Sequence, residues 1–357
     1  MIAENKQERP SSRSTSRKLF SWLNVLLGII LVGWGLWYIA REITFSEIAK
    51  AMSVANIPLI LLAFLVVLFT QAIKAWRWQL LFFPKESNLT FSAAFWAVML
   101  GQFVNTAVSF LRLGELARIY ALYQQTKISK IRSLGTLVLE KTLELITLVV
   151  TLAVLIPFVV VPDFMTERGI TVGIAAAIAF CALYLLAYQT QFVIRILRRL
   201  LQILPPTLSE RLLRWAVSGL EGLAALRSKR VLVEVVGISL LIGLVSVVTP
   251  WILFPALGLP YGIIDAVLIH IVTTLASAIP VPTPAKLGVF EAAVVFMLNQ
   301  FGLDNPALAF SYAILFHVII ILPQMLFGAV AASRTNWRWR ATTLPPETTL
   351  QQSPHSL

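Results

Sequence analysis

The stretch at 279–291 reads IPVPTPAKLGVFE and lies between two apolar segments, 262–279 and 287–302. Its three prolines cannot sit inside a regular helix, because each lacks a backbone N–H and its ring clashes with the preceding turn. Both flanking segments are short for a crossing of about 30 Å of hydrocarbon, which takes about 20 residues. The stretch therefore predicts a helical hairpin whose non-helical tip is buried in protein or lines a wet cavity.

The rest of the chain is dominated by long apolar runs. It is 58% hydrophobic and only 13% charged, a composition typical of a polytopic helical membrane protein. Further apolar segments lie at 19–40, 57–75, 91–111, 133–161, 169–189, 231–256 and 307–332. No polar stretch between them is long enough for a soluble catalytic domain, which favours a function in or at the bilayer.

The basic residues predict how these segments are threaded. If every segment crossed, the basic groups at 112–132 and 195–230 would lie opposite the basic N-terminal tail, against the positive-inside rule. A hairpin at 91–126 that enters from the cytoplasm and returns, with a second at 262–302 that enters from outside, places 24 of the 29 Lys and Arg in the cytoplasm. We therefore expect six crossing helices and two oppositely entering re-entrant hairpins, an all-α inverted repeat that resembles an eight-helix bundle.

The same reading divides the chain into a single transmembrane domain at 19–335 and two disordered cytoplasmic tails, 1–18 and 336–357. The loop at 190–230 is expected to form two basic amphipathic helices in the cytoplasmic interface, with a break at Pro205-Pro206. The stretch KAWRW at 74–78 is interpreted as an aromatic and cationic anchor at the membrane surface.

The two hairpin tips share a pattern of a cation followed by Leu, Gly and a glutamate. The first tip reads RLGE at 112–115, and the second reads KLGVFE at 286–291. A half-helix that begins after each glycine would point free N–H groups into the membrane, and a neighbouring cation makes such a terminus suitable for an anion such as phosphate. We expect Arg112 and Lys286 to face one another across a polar cavity at mid-membrane.

Three ionisable residues, Glu140, Lys141 and Glu144, interrupt the fourth apolar segment, and the two glutamates share a helix face. An isolated charge at membrane depth costs at least about 2.5–3.5 kcal/mol, so partners or water are required. Lys141 would balance Glu140, and Arg112 or Lys286 would balance Glu144. Two interpretations stay open: a static ion-pair network that holds helices together, and a group of side chains that contacts substrate.

Together these features define a predicted anion-binding set from both tips and the fourth segment. Its members are Arg112, Gly114, Glu115, Arg118, Glu140, Lys141, Glu144, Pro282, Lys286, Gly288 and Glu291.

Other chemistries have weaker support. His270 and His317 each stand alone on an apolar helix and are expected to be satisfied core residues rather than metal ligands. No Gly-rich nucleotide-binding pattern occurs, and no residues have the spacing of metal ligands. We therefore expect neither a cofactor nor a metal. The net charge of +12 is spread among the loops, which favours contact with anionic lipid headgroups over nucleic acid.

Four stretches in order resemble a known family, the flippase-like transmembrane domain of lysylphosphatidylglycerol synthetases and its stand-alone relatives. They are KAWRW at 74–78, RLGELAR at 112–118, EKTLE at 140–144 and PVPTPAKLGVFE at 280–291. The resemblance covers about 20–335. The chain departs from the family at Ser109 and Phe110, where a proline is common, and it has Lys141 and Glu144 in place of the family's Arg and following Asp.

The resemblance implies a lipid-translocating domain without the aminoacyl-transferase domain. We expect a non-enzymatic plasma-membrane protein that binds an anionic phospholipid or lipid-linked headgroup and moves it between leaflets. A lipid-synthesis enzyme or a glycosyltransferase is the expected partner protein. Two alternatives stay open: a polytopic glycosyl- or acyl-transferase that uses a lipid carrier, and a non-catalytic accessory subunit of a lipid or cell-envelope pathway. The sequence predicts no oligomeric state.

Overall fold

The computed structural model describes most of the chain between residues 55 and 334. The described ranges are 55–84, 86–107, 113–155, 188–202, 205–279 and 283–334, with isolated positions at 46, 53, 174, 178, 181 and 182. The two predicted tails, the segment at 19–40 and most of the segment at 169–189 lie outside the described residues, as do Arg112 and Pro282.

Within these ranges every regular element is helical, and no strand occurs. The α-helices are α1 (Ile57–Leu81), α2 (Phe91–Ala107), α3 (Gly114–Thr126), α4 (Lys130–Leu155), α5 (Thr190–Leu201), α6 (Pro206–Glu221), α7 (Lys229–Ala256), α8 (Ile263–Ala278), α9 (Val289–Gln300) and α10 (Pro306–Arg334). Short 3₁₀ turns occur at Ala224–Arg227 and Pro284–Lys286.

Three of these helices, α1, α7 and α10, are long and apolar enough to cross a membrane. They contain 25, 28 and 29 residues. At 1.5 Å per residue their lengths are about 38–44 Å, which exceeds the hydrocarbon thickness of about 30 Å. α1 packs along α7, and α10 packs against α2 and α9. The protein is therefore an all-helical membrane protein, as predicted.

Helices α2 and α3 form a tightly closed hairpin. Their backbones meet at Gly101 and Gly114, where a Cβ atom added to Gly114 would lie 2.0 Å from the Gly101 carbonyl oxygen. The Asn105 side chain closes the turn, because its Oδ1 accepts the Gly114 N–H at 2.8 Å. Gly114 is thus required by the close approach of two backbones, a role that its place in the RLGE pattern did not indicate.

Helices α8 and α9 form a second hairpin, and the described residues of its tip, 283–288, continue neither α-helix, as the prolines predicted. α8 ends at Ala278, and α9 begins at Val289. Between them the chain takes left-handed φ values of 51° at Ala285, 63° at Lys286 and 89° at Gly288. The 3₁₀ turn in this tip packs against α2, so the second hairpin contacts the first.

The basic segment after α4 contains two helices separated at Pro205-Pro206, as expected. Every residue of α5 is at least partly exposed, whereas α6 is docked on α4. The docking depends on glycine, because a Cβ atom on Gly135 would lie 2.4 Å from the Gly219 carbonyl oxygen. Leu220 is buried at this contact. α6 is therefore part of the helical bundle and not only a surface helix.

Candidate functional site

A buried ion cluster joins α1, α3 and α4. The Arg118 guanidinium binds the Glu140 carboxylate through two bonds, Nη1–Oε1 at 3.2 Å and Nη2–Oε2 at 2.9 Å. Arg77 donates from Nη2 to the same carboxylate at 3.2 Å. The Arg77 and Glu140 side chains are 1% and 2% exposed, so this carboxylate is neutralised almost entirely out of water.

From this centre the cluster extends toward a more open region. Arg77 donates to Glu144 Oε1 at 2.9 Å and to Ser239 Oγ of α7 at 3.2 Å. Lys141 Nζ then donates to Glu144 Oε2 at 2.9 Å. Glu144 is 31% exposed and Lys141 is 51% exposed. The network is therefore dry at Glu140 and accessible at Lys141.

These contacts correct the expectation that Lys141 balances Glu140. Lys141 pairs with Glu144 rather than with Glu140, and the cations bound to Glu140 are Arg77 and Arg118. The reason is geometric. On a helix, side chains three or four positions apart lie on one face, whereas immediate neighbours point in different directions.

The stretch at 74–78 is also placed differently from the expected surface anchor. Trp78 is fully buried, and the Arg118 guanidinium carbon lies 3.7 Å from the centre of its ring. Its Nε1 donates to Thr136 Oγ1 at 3.1 Å. Trp76 alone in this stretch is highly exposed, at 47%. The stretch lies within α1, and its buried Arg77 and Trp78 side chains belong to and support the ion cluster.

A polar cavity of about 80 Å³ lies beside the cluster, enough for a few water molecules. Six of the predicted residues line it: Gly114, Glu115, Arg118, Glu140, Lys141 and Glu144. The remaining walls come mainly from α2, where Asn105 donates from Nδ2 to Glu115 Oε2 at 3.2 Å. The structure thus brings the first tip and the fourth predicted segment together.

The described residues of the second tip, Lys286, Gly288 and Glu291, do not line this cavity. Glu291 lies elsewhere, paired with His317, while Lys286 and Gly288 form the strained turn before α9. The expected opposition of Arg112 and Lys286 involves a residue outside the described ranges. The second hairpin does contact the helix that carries Glu140 and Glu144, because α8 packs against α4.

Lys74 is the charged cavity residue that the predicted anion-binding set did not include. It lines the cavity within electrostatic range of Glu144, Lys141 and Arg77. Within the described part of the chain, its side-chain ammonium group makes no hydrogen bond or ion pair. Its spacing of three from Arg77 places both on one face of α1, and this periodicity was the available signal.

The charges around the cavity do not cancel within the described part of the chain. Four cations, Lys74, Arg77, Arg118 and Lys141, accompany three carboxylates. The excess is positive, and it lies at the accessible end where Lys74 and Lys141 are found. Such a site is suited to an anion, because a phosphate or carboxylate would supply the missing negative charge. The described residues contain no group of three or more side chains that could hold a metal ion.

The fold and the cavity define a helical membrane protein with a charged interior site. The sequence model of the lysylphosphatidylglycerol synthase transmembrane region matches residues 25–328, which is most of the chain. The chain therefore belongs to this family. A search of curated proteins finds no match to it.

Proposed function

We propose that this protein binds an anionic phospholipid or lipid-linked headgroup in the cavity beside α1, α3 and α4 and moves it between leaflets. The observation that carries the proposal is Lys74, a cation that lines the cavity without an ion-pair partner in the described ranges. An intramembrane ionisable group of this kind usually serves function, because leaving it without a countercharge is costly. A lipid phosphate would provide that countercharge.

The ion cluster would give this site its selectivity for charge. Arg77 and Arg118 are committed to Glu140, so they hold the cavity wall in place rather than bind ligand. The cations at the accessible end are Lys141, which is bound to Glu144, and Lys74. A zwitterionic headgroup would bring its own positive charge to this end and would bind less well than an anionic one.

The family and the helix lengths support a re-entrant topology for the two hairpins. α3 and α9 contain 13 and 12 residues, fewer than the roughly 20 that a crossing needs. In this proposal the first hairpin enters from the cytoplasm and the second from outside, both termini are cytoplasmic, and the protein resides in the plasma membrane. The contact between the second tip and α2 is the place where the two inverted halves would meet.

Translocation in this scheme requires the hairpins to move apart. A cavity of about 80 Å³ holds a few water molecules, whereas a lipid headgroup needs more room. Parting the hairpins would open a polar path for the headgroup while the acyl tails remain in lipid. The protein would act on a finished lipid and make no covalent change to it, and an enzyme of lipid or cell-envelope synthesis would supply that lipid.

Reconstitution into liposomes tests the proposal. We expect purified protein to accelerate transbilayer movement of a labelled phosphatidylglycerol and to act weakly on labelled phosphatidylcholine. Lys74→Gln should slow movement of the anionic lipid about tenfold, equivalent to about 1.4 kcal/mol in its activation free energy, and Lys74→Arg should retain part of the activity. Lys229→Gln, the same charge change at an exposed residue, is the matched control.

Two results would reject the proposal. One is movement of phosphatidylglycerol by Lys74→Gln at the rate of the unmodified protein. The other is a covalently altered lipid in mass spectra of the liposomes, which would favour a transferase.

A further inference from the structure

The contact between the second hairpin and α10 contains a pair of titratable side chains that the proposed lipid site does not use. His317 of α10 and Glu291 of α9 are 4% and 6% exposed. His317 Nδ1 lies 2.5 Å from Glu291 Oε1, and its Nε2 lies 3.0 Å from the backbone carbonyl oxygen of Ala285. The other carboxylate oxygen of Glu291 accepts the Gly288 N–H at 2.7 Å.

This arrangement has a definite requirement for protons. A backbone carbonyl can only accept, so His317 Nε2 must carry a hydrogen. Nδ1 and Oε1 are also too close to face one another without a proton between them, because each would otherwise present a lone pair. The pair therefore contains one shared proton, as imidazolium with carboxylate or as neutral imidazole with carboxylic acid. Either form is neutral overall.

Neither α2 nor the rest of α9 brings another charge to this proton. The Phe290 ring stacks on the imidazole, with centroids 4.3 Å apart. α2, which packs against α10, has no titratable side chain, and α9 has only Glu291. The turn contributes Lys286, which is half-buried.

The other helices that pack near α10 have their charged groups at other sites. On α1 these are Lys74 and Arg77, which belong to the ion cluster. On α7 they are Lys229, Arg230 and Glu234 at its first turns, and on α8 they are Asp265 and His270. The charged partner that the Glu291 carboxylate contacts is His317.

Both hydrogen-bonding partners of the pair belong to the strained turn. Ala285 has a φ of 51°, Lys286 a φ of 63° and Gly288 a φ of 89°. Non-glycine residues adopt such values only where surrounding contacts hold them. His317 holds Ala285, and Glu291 holds Gly288, so the two side chains bind the turn at both ends.

We propose that His317 and Glu291 form a proton-binding site that fastens the turn at 283–288 to α10. Loss of the shared proton would leave a carboxylate facing a bare ring nitrogen at 2.5 Å, and the two groups would separate. The turn would then lose its hold on α10 while it rests against α2. The site is separate from the lipid cavity, and its ligand is the proton itself.

Glu291→Gln is the variant that isolates the proton from the hydrogen bonds. A glutamine amide can donate to His317 Nδ1 and accept the Gly288 N–H, so every bond of the pair is kept while the shared proton is removed. Folding and protonation can therefore be measured separately in this variant. We expect the fold to stay intact while the protonation of the pair changes.

The direct measurement is nitrogen NMR of the protein labelled with ¹⁵N-histidine in nanodiscs. The sequence has three histidines, and His317→Gln identifies the resonances of His317. Near pH 7 we expect both ring nitrogens of His317 to report attached or shared hydrogen, and Glu291→Gln to show a bare Nδ1. A bare, unshared Nδ1 in the unmodified protein between pH 6 and 8 would overturn the proposal.

Hydrogen exchange of the turn gives the second readout. After correction for the intrinsic rate, we expect protection of the amides at 283–288 to fall as pH rises in the unmodified protein and to stay level in Glu291→Gln. The same pH profile in both proteins would also overturn the proposal. Neither measurement depends on lipid movement, so a failed transport assay would not count against the proposed proton-binding site.

Discussion

Arg118 and Glu140 are joined by two parallel hydrogen bonds in the interior of the bundle, with the Trp78 ring against the guanidinium. The two residues are 22 positions apart on different helices. A bidentate pair of this kind fixes both distance and orientation. It therefore ties the first hairpin to α4, the helix that forms the accessible wall of the cavity.

Removing the shared carboxylate should destabilise the protein strongly. Glu140→Gln would leave the buried Arg118 guanidinium without its carboxylate and would leave Arg77 with Glu144 alone, at a cost of about 3–5 kcal/mol. Unfolding in detergent, followed by circular dichroism, measures this. Glu234→Gln breaks an exposed pair with Arg230 and should cost less than about 1 kcal/mol. Equal stabilities of the two variants would show that the buried pair is not a structural centre.

The close approach in the first hairpin should make Gly114 irreplaceable. In Gly114→Ala the new methyl group would lie 2.0 Å from a backbone oxygen, so the helices must separate. Overpacking of this kind costs about 1–3 kcal/mol, and here the displaced atoms are backbone. Gly237→Ala is the control, because nothing lies within 4 Å of a Cβ there, and it should be neutral or stabilising by up to about 1 kcal/mol. Thermal melting compares the two, and an undisturbed Gly114→Ala protein would contradict the contact.

Trp78 should contribute through its polar atom as well as its ring. Trp78→Phe keeps an aromatic ring but removes the Nε1 bond to Thr136, and we expect a loss of about 1–2 kcal/mol. A double-mutant cycle with Thr136→Val measures the coupling between the two side chains. Additive effects would mean that the hydrogen bond contributes nothing.

The proposed topology predicts which loops a membrane-impermeant thiol reagent reaches. In a Cys181→Ser background, a cysteine at Asp304 should react on intact cells, and a cysteine at Lys127 should react only after the membrane is opened. Both positions lie between helices in the structure. Labelling of position 127 from outside would exclude a first hairpin that returns to the cytoplasm.

The positions of the helices could be predicted from the sequence, whereas the partners of the charged side chains could not. The helix bounds followed from local chemistry. The apolar segment at 231–256 became α7 over 229–256, and the predicted break at 279–288 separates α8 from α9. An apolar run acts within one segment, and a cluster of prolines breaks a helix locally, so both can be recognised from the sequence. Single prolines are less decisive, because Pro250, Pro255 and Pro323 lie inside α7 and α10.

The partners within the site were decided by the tertiary structure alone. Glu140 could be recognised as a costly charge that needs compensation, but its cations lie 22 and 63 positions away on two other helices. In the same way, the sequence predicted that Gly114 marks the start of an anion-binding half-helix. In the structure Gly114 allows the backbones of α2 and α3 to touch. The amino-acid sequence by itself determined that this protein is helical, enters a membrane and contains charges that must be compensated. Only the packing of the helices sets the distances that decide which charges compensate one another. The same packing leaves Lys74 without an ion-pair partner at the cavity.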